Sequence, residues 1–225
     1  METTKNDISR GDSLICQRAY SAEMRAETGE ENQEHRVTGY ASVFDNEADI
    51  YGMFKEKIAR GAFNDCKFKD VIFCINHETN KIPLARSRNN NKKSTMQLSV
   101  DDNGLHVSAL IDTEKNSEAE ALYSAIQRGD MGGMSFIFEI GDYEWEGLDT
   151  NMPTKIITRI AEVFEVTAAT FPFYKATTLD ARAKRSLESE QAALESAKKE
   201  ARAALESAKA ARDKELYKFR AKIGI

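Results

Sequence analysis

The chain has 225 residues, 41% hydrophobic and 31% charged, which is enough for one medium-sized domain with a real core and an appendage. No apolar run approaches the roughly 20 residues of a membrane span, and the polar N-terminus lacks the apolar core of a secretion signal, so we expect neither. The net charge of −5 is uneven, because residues 181–225 hold 12 Lys and Arg against 7 Asp and Glu and leave the rest acidic.

Three segments are predicted along the chain: a flexible leader at residues 1–12, a domain at residues 13–180, and a helical, basic extension at residues 181–225. Within the domain, alternating or continuous apolar runs predict β-strands. These runs lie near residues 13–20, 37–44, 71–75, 95–100, 104–112, 134–145 and 155–171. The turn sequence Asp101-Asp102-Asn103-Gly104 predicts a hairpin, because Asn-Gly tolerates positive φ.

Two helices are predicted inside the domain. A short one lies near residues 54–59 and ends at Gly61. The other begins at Ser117 as its N-cap and ends at Gly129. Its apolar face follows helical spacing and consists of Ala119, Leu122, Tyr123 and Ile126. Strands with a few surface helices predict an α+β fold, an antiparallel-rich β-barrel that is closed or partly closed.

The extension changes character after Asp180. Residues 181–222 contain no Gly or Pro and 12 Ala, and the sequence Ala-Ala-Leu-Glu-Ser-Ala-Lys occurs at 192–198 and again at 203–209. A period of 11 residues is close to three helical turns, so one face carries Leu194, Leu205 and Leu216. We expect one long polar helix that stays exposed or packs on a partner.

The choice of a catalytic base is narrow, because the sequence has only three histidines. His35 lies in a polar stretch and is expected at the surface. His106 lies inside an alternating strand, where a residue of a strand face is the simpler interpretation. His77 follows an apolar strand directly, and a strand end that opens into a loop is where a scaffold presents a reactive group.

Ser135 lies in the stretch Gly132-Gly133-Met134-Ser135-Phe136, directly before a strand-like run. The backbone N–H groups of Gly133 and Met134 are candidates for stabilising an oxyanion. A glycine turn before a strand, with Ser135 incidental, explains the same residues. A nucleophilic serine needs a base and a third group that orients the base, and the candidates for that group are Glu165, Glu162 and His106.

Cysteine chemistry is an alternative that the sequence leaves open. Cys74 lies three residues before His77, but its apolar surroundings indicate a buried strand thiol. Cys16, Cys66 and Cys74 are an odd number without metal-type spacing. We therefore expect reduced thiols, no metal site and no cofactor.

Five short motifs occur in an order that resembles the tailed-phage prohead (procapsid) maturation proteases, which are serine proteases similar in fold to the herpesvirus assemblins. The resemblance spans roughly residues 35–182. The motifs are Val37-Thr38-Gly39-Tyr40-Ala41-Ser42-Val43-Phe44, Glu56 with Arg60-Gly61-Ala62-Phe63, Asn76-His77-Glu78, Gly133-Met134-Ser135-Phe136, and Glu165-Val166-Thr167 with Pro172 and Tyr174.

The resemblance implies that Ser135 is the nucleophile, His77 the base and Glu165 the acid. Assemblins use a second histidine in the last role, so His106 stays an alternative. Thr167 stands where the family motif has Ser, and Phe173 stands where Ala is common.

The resemblance also implies a setting and partners. Such enzymes work inside the procapsid in the host cytoplasm and cleave scaffold, the scaffolding segment of the major capsid protein, and commonly themselves. Dimerisation is possible by analogy, and no nucleic-acid or membrane partner is expected. Two alternatives are a non-enzymatic capsid-assembly or scaffold-core protein and a β-barrel binding module with an oligomerising tail.

Overall fold

The computed structural model describes residues 4–6, 14–20, 24–29, 34–170 and 181–223. Within them the chain forms mostly strands together with two helices, which confirms the α+β class and the long C-terminal helix. The strands are β1 (Thr4–Asn6), β2 (Leu14–Tyr20), β3 (Met24–Thr28), β4 (His35–Val43), β5 (Ala48–Ile50), β6 (Phe54–Ile58), β7 (Asp70–Ile75), β8 (Ala85–Arg88), β9 (Met96–Val100), β10 (Gly104–Ile111), β11 (Gly133–Glu146) and β12 (Thr154–Ala169). The helices are α1 (Ser117–Gln127) and α2 (Ala181–Ile223).

A long antiparallel hairpin of β11 and β12 forms the centre of the larger sheet. It runs from Gly133 opposite Ala169 to Glu146 opposite Thr154. The outer edge of β11 pairs antiparallel with β2 and, nearer the hairpin turn, with β1. The outer edge of β12 pairs parallel with β7 and β6, and β8 and β5 extend the sheet from those two strands. One hairpin therefore determines which residues of four remote segments meet.

The second sheet has the antiparallel order β3-β4-β10-β9. The hairpin predicted at residues 101–104 joins β9 to β10, and the Asp101 carboxylate accepts hydrogen bonds from the N–H groups of Asn103 and Gly104. A Cβ at position 104 would lie 1.9 Å from the carbonyl oxygen of Ser42 on β4. Glycine is required there because the two backbones approach so closely.

Helix α1 confirms the second predicted helix, with one correction at its start. The N-cap is Asn116 rather than Ser117, because the Asn116 side chain accepts from the N–H groups of Glu118 and Ala119 at 3.0 and 3.3 Å. Gly129, with φ of 77°, follows the C-cap residue Arg128 as expected. The predicted apolar face is buried, namely Ala119, Leu122, Tyr123 and Ile126.

The short helix predicted near residues 54–59 is wrong, because these residues form strand β6. Phe54, Glu56 and Ile58 are buried and alternate with more exposed lysines, which is the two-residue period of a strand. A carboxylate occupies the central inward position, so the apolar alternation that indicates a strand is interrupted there.

Three other predictions, on the closure of the barrel, the leader and the domain boundary, stay predictions. Among the described strands no ladder joins the two sheets, so closure into a barrel stays a prediction. The predicted leader lies mostly outside the described residues, although Thr4–Asn6 pairs with β11. The boundary predicted at residue 180, like Pro172 and Tyr174, also lies outside the described residues.

The side chains of α2 are described from residue 187 onward, and the first turns after that residue pack on the domain. Leu194 and Ala197 are buried in the core, and Glu190 is 1% exposed and pairs with Arg18. From residue 202 to residue 219 the side chains are exposed, including Leu205. The expectation of an exposed helix therefore describes only the outer part of α2, while its inner part belongs to the core.

We predict that Phe54→Ala lowers the free energy of unfolding by about 3–5 kcal/mol, because it leaves a cavity in the core. The Phe54 ring is fully buried and meets the ring of Trp145 edge to face, with centroids 5.2 Å apart. Urea unfolding followed by circular dichroism measures the loss. The control Ile82→Ala removes a side chain that is 83% exposed and should change stability by less than about 0.5 kcal/mol. Equal losses in both variants would contradict the assignment of β6 to the core.

Candidate active site

Two of the ladders of β12, with β11 and with β7, bring three remote segments together at one residue. Thr167 of β12 lies opposite Ser135 of β11 in the antiparallel ladder and opposite Cys74 of β7 in the parallel ladder. Glu165 lies two residues earlier on β12, so its side chain leaves the same face as that of Thr167. His77 follows β7 by two residues.

Ser135, His77 and Glu165 form a continuous hydrogen-bonded chain. His77 Nε2 lies 2.8 Å from Ser135 Oγ, and His77 Nδ1 lies 2.7 Å from Glu165 Oε2. Ser135 and Glu165 are 3% and 1% exposed, whereas 17% of the His77 side chain is accessible. A buried carboxylate that accepts from Nδ1–H fixes the tautomer in which Nε2 faces the hydroxyl.

A turn whose backbone lies in the left-handed region of φ and ψ places the His77 ring beside Ser135. Asn76 and His77 have φ of 48° and 61°, which non-glycine residues adopt at a cost of about 1 kcal/mol each. Three hydrogen bonds stabilise this turn: Asn76 N–H donates to the carbonyl of Ala168, Asn76 Oδ1 accepts from the N–H of Thr170, and His77 N–H donates to Thr167 Oγ1. The sequence places Thr167 in the fifth motif but indicates no role for it, although its position two residues after Glu165 is the signal that it shares that face.

The second oxygen of Glu165 also has a partner. Cys74 Sγ–H donates to Glu165 Oε1 at 3.1 Å, so both carboxylate oxygens accept a hydrogen bond within the interior. Burial, and then the charge of Glu165, raise the pKa of Cys74 to about 12. The thiol stays protonated at neutral pH and contacts the acid rather than the ring of His77, which argues against cysteine as the nucleophile.

The remaining candidates for the third group lie elsewhere. His106 is on β10 in the four-stranded sheet, where its ring meets that of Tyr40 edge to face at 5.2 Å. Glu162 pairs with Lys69, with 3.5 Å between Nζ and Oε2. His35, expected at the surface, is half-buried on β4 and its ring lies 4.4 Å from that of Tyr123.

The candidate oxyanion donors lie within ladders. Met134 is opposite Ala168 on one side and Tyr20 on the other, and Gly133 is opposite Ala169. A strand that is paired on both edges directs its N–H groups to its neighbours. Oxyanion binding by these two residues therefore stays a prediction.

The structure adds one contact that the sequence did not indicate. Ser135 Oγ donates a hydrogen bond of 2.8 Å to the backbone carbonyl of Arg18 on β2.

Among the described residues, no group of three or more His, Cys, Asp and Glu side chains is arranged to hold a metal ion. No helix in the described part of the chain is long and apolar enough to cross a membrane.

A serine, a histidine and a carboxylate bonded in this order form the arrangement that serine hydrolases use for acyl transfer. A family model described as Caudovirus prohead serine protease matches residues 20–192. The chain belongs to this family, which confirms the resemblance noted in the sequence.

Comparison with curated proteins gives a relative as well. The chain is 31% identical over 140 residues to the prohead protease of Enterobacteria phage HK97, a match that covers 60% of this chain and 54% of that protein. The chain thus spans about half the length of the relative. No solved structure matches the chain.

We predict that the cysteine thiols are unreactive while the chain is folded. Burial raises the pKa of Cys16, Cys66 and Cys74 to about 12, and the thiolate is the reactive form. At pH 7.5 an aromatic disulfide reagent should modify them at least about 100-fold more slowly than free cysteine, and denaturant should abolish the protection. Rapid modification of Cys74 in the folded chain would contradict this environment and revive the cysteine alternative.

Proposed function

We propose that the chain is a serine endopeptidase in which Ser135 is the nucleophile, His77 the general base and Glu165 the group that orients His77. The observation that carries this proposal is the hydrogen-bonded chain from Ser135 Oγ through His77 to Glu165, with separations of 2.8 and 2.7 Å. Membership of the prohead serine protease family supports it independently.

The reaction divides into acylation and hydrolysis. His77 Nε2 takes the proton of Ser135 as Oγ attacks the peptide carbonyl carbon, and the tetrahedral intermediate collapses when His77 returns that proton to the leaving amine. Water then attacks the acyl-enzyme with His77 as the base, which releases the acid and restores the serine. Glu165 accepts the hydrogen bond from His77 Nδ1–H and stabilises the imidazolium that forms in each half.

The proposed substrates are scaffold protein, the scaffolding segment of the major capsid protein, and the chain itself, cleaved during procapsid maturation in the host cytoplasm. Family membership and the similarity to a relative named prohead protease support this role. A homodimer remains part of the proposal by analogy with assemblins. The exposed outer part of α2, which includes Leu205 and Leu216, is available for holding the enzyme to a partner.

The alternative is a non-enzymatic capsid-assembly protein on the same fold. The exposed outer part of α2 suits that role as well. The alternative gives no reason for burying a serine, a histidine and a carboxylate as one hydrogen-bonded chain, because an unused polar chain in the interior only adds desolvation cost.

We predict that Ser135→Ala abolishes processing, with a loss of roughly 10⁶-fold in turnover, because no other group supplies the nucleophile. The chain is co-expressed with the neighbouring capsid and scaffold proteins, and the intact masses of all products are compared. Ser99→Ala is the matched control, since Ser99 is exposed on β9.

The control should give the same shortened products as the unsubstituted chain, and Ser135→Ala should give full-length proteins only. Identical uncut masses in all three samples would contradict the proposal and favour the assembly protein.

A further inference from the structure

A buried ionic network connects α2 to the strand beside the candidate nucleophile. Arg18 Nη2 of β2 donates to both carboxylate oxygens of Glu190, at 2.8 and 2.6 Å, and Arg18 Nε donates to Glu56 at 2.6 Å. Lys155 Nζ lies 3.4 Å from Glu190 and 3.5 Å from Glu56. Glu56, Lys155 and Glu190 are at most 1% exposed and the Arg18 side chain is 10% exposed, so the described residues bring two cations and two anions together in the interior.

Glu190 is ionised within this network. Burial opposes the charged form, but the nearby charges of Arg18 and Lys155 outweigh it and lower the pKa of Glu190 to about 2. Cys16 adds a hydrogen bond from Sγ to Glu190 Oε1 at 3.2 Å, and burial raises the pKa of Cys16 to about 12, so it remains a donor. Ion pairs of this kind depend on each partner, because removing one leaves the other charged and buried.

The backbone of Arg18 reaches the candidate active site. Ala19 lies opposite Ser135 in the ladder of β2 with β11, and the carbonyl of Arg18 accepts the hydrogen bond from Ser135 Oγ. Ser135 Oγ is thus 2.8 Å from the Arg18 oxygen and 2.8 Å from His77 Nε2.

These two acceptors compete, because a hydroxyl group has a single proton to donate. General-base catalysis requires that proton on the side of His77 Nε2. A carbonyl that holds the proton keeps the serine in an unreactive orientation.

The position of that carbonyl depends on the side chain of Arg18. Among the described strands β2 pairs with β11 alone, and the side chain of Arg18 adds an attachment to other elements. Arg18 is bound on both sides, by Glu56 of β6 and by Glu190 of α2. Glu190 is the partner that comes from the C-terminal helix.

We propose that Glu190 is a positioning residue that lowers the reactivity of Ser135, because its ion pair with Arg18 holds β2 where the Arg18 carbonyl takes the serine proton. The inference rests on the proposed function and adds a control of that site by helix α2. A substrate or partner that displaces β2, or a cut that releases α2, then frees Ser135 to donate to His77.

The test measures how fast a fluorophosphonate labels Ser135 in the full chain. We expect Glu190→Gln to raise the maximal labelling rate about fivefold with the half-saturating probe concentration unchanged, because the proton transfer improves and the probe site does not. Hydrogen exchange of the β2 amides should quicken in the same variant. Glu195→Gln is the matched control on α2: Glu195 is 71% exposed, lies 3.9 Å from Lys198, and its loss should change neither quantity.

A charge-balanced pair separates positioning from stability. Among the described charges, Glu190→Gln leaves Arg18 and Lys155 facing one carboxylate and should lower the melting temperature, and adding Lys155→Met leaves Arg18 paired with Glu56. The double variant should regain the melting temperature and keep the raised labelling rate. Lys155→Met alone should lower the melting temperature without raising that rate, because Arg18 keeps both carboxylates.

Two results would overturn the inference. In the first, folded Glu190→Gln shows the same labelling rate and the same hydrogen exchange of the β2 amides as Glu195→Gln. In the second, the labelling rate is raised in Glu190→Gln but returns to that of the unsubstituted chain when Lys155→Met is added. A different result would overturn the proposed function itself, namely no labelling of Ser135 in the unsubstituted chain or in any variant. If Ser135 is never labelled, hydrogen exchange of the β2 amides still shows whether Glu190 anchors that strand. Failure of the inference and failure of the proposed function are therefore distinguishable.

Discussion

The candidate site depends on the register of β12 with β11 and with β7. Thr167 lies opposite Ser135 in an antiparallel ladder and opposite Cys74 in a parallel one, so a single residue aligns segments that are far apart in the chain. A slip of one residue in either ladder would turn the side chains to the opposite face. The Thr167 hydroxyl reinforces the register, because it donates to the carbonyl of Cys74 and accepts from the N–H of His77.

Two networks of buried polar groups lie in the interior, one at this register and one around the Arg18 side chain, and the buried carboxylates in both have partners. Glu165 accepts from His77 and Cys74, while Glu190 accepts from Arg18 and lies near Lys155. Burying these groups without partners would cost several kcal/mol each. The two networks meet at Arg18. Its side chain pairs with Glu190, and its backbone carbonyl accepts from Ser135. The inner part of α2 is thereby connected through Arg18 to Ser135.

The sequence predicts the site better than it predicts the surroundings of the site. Ser135 and His77 stand in short motifs whose order is informative, and apolar alternation located the strands that carry or precede them. Helix α1 follows from its apolar period, although the choice between Asn116 and Ser117 as cap depends on a backbone angle that the residue types do not determine. The resemblance favours Glu165 over His106 as the third group, but the sequence does not place either near His77, because their positions in space follow from sheet pairing.

The failures have a common physical cause. The sequence of β6 does not indicate a strand, because Glu56 stands at an inward position, where a strand pattern normally has an apolar residue. The packing of α2 was missed for the same reason, since Glu190 in its buried face makes the helix look solvated. Each carboxylate is inside because Arg18 and Lys155 neutralise it, and such pairing between distant residues is not visible in local sequence.

The most direct test of the assignment compares two histidines by covalent labelling. His77→Gln and His106→Gln are each treated with a fluorophosphonate, and the adduct is mapped by peptide mass spectrometry. The account predicts an adduct on Ser135 in His106→Gln at the rate of the unsubstituted chain, and its loss in His77→Gln, because only His77 contacts the serine. Equal labelling of the two variants, or loss in His106→Gln alone, would contradict it.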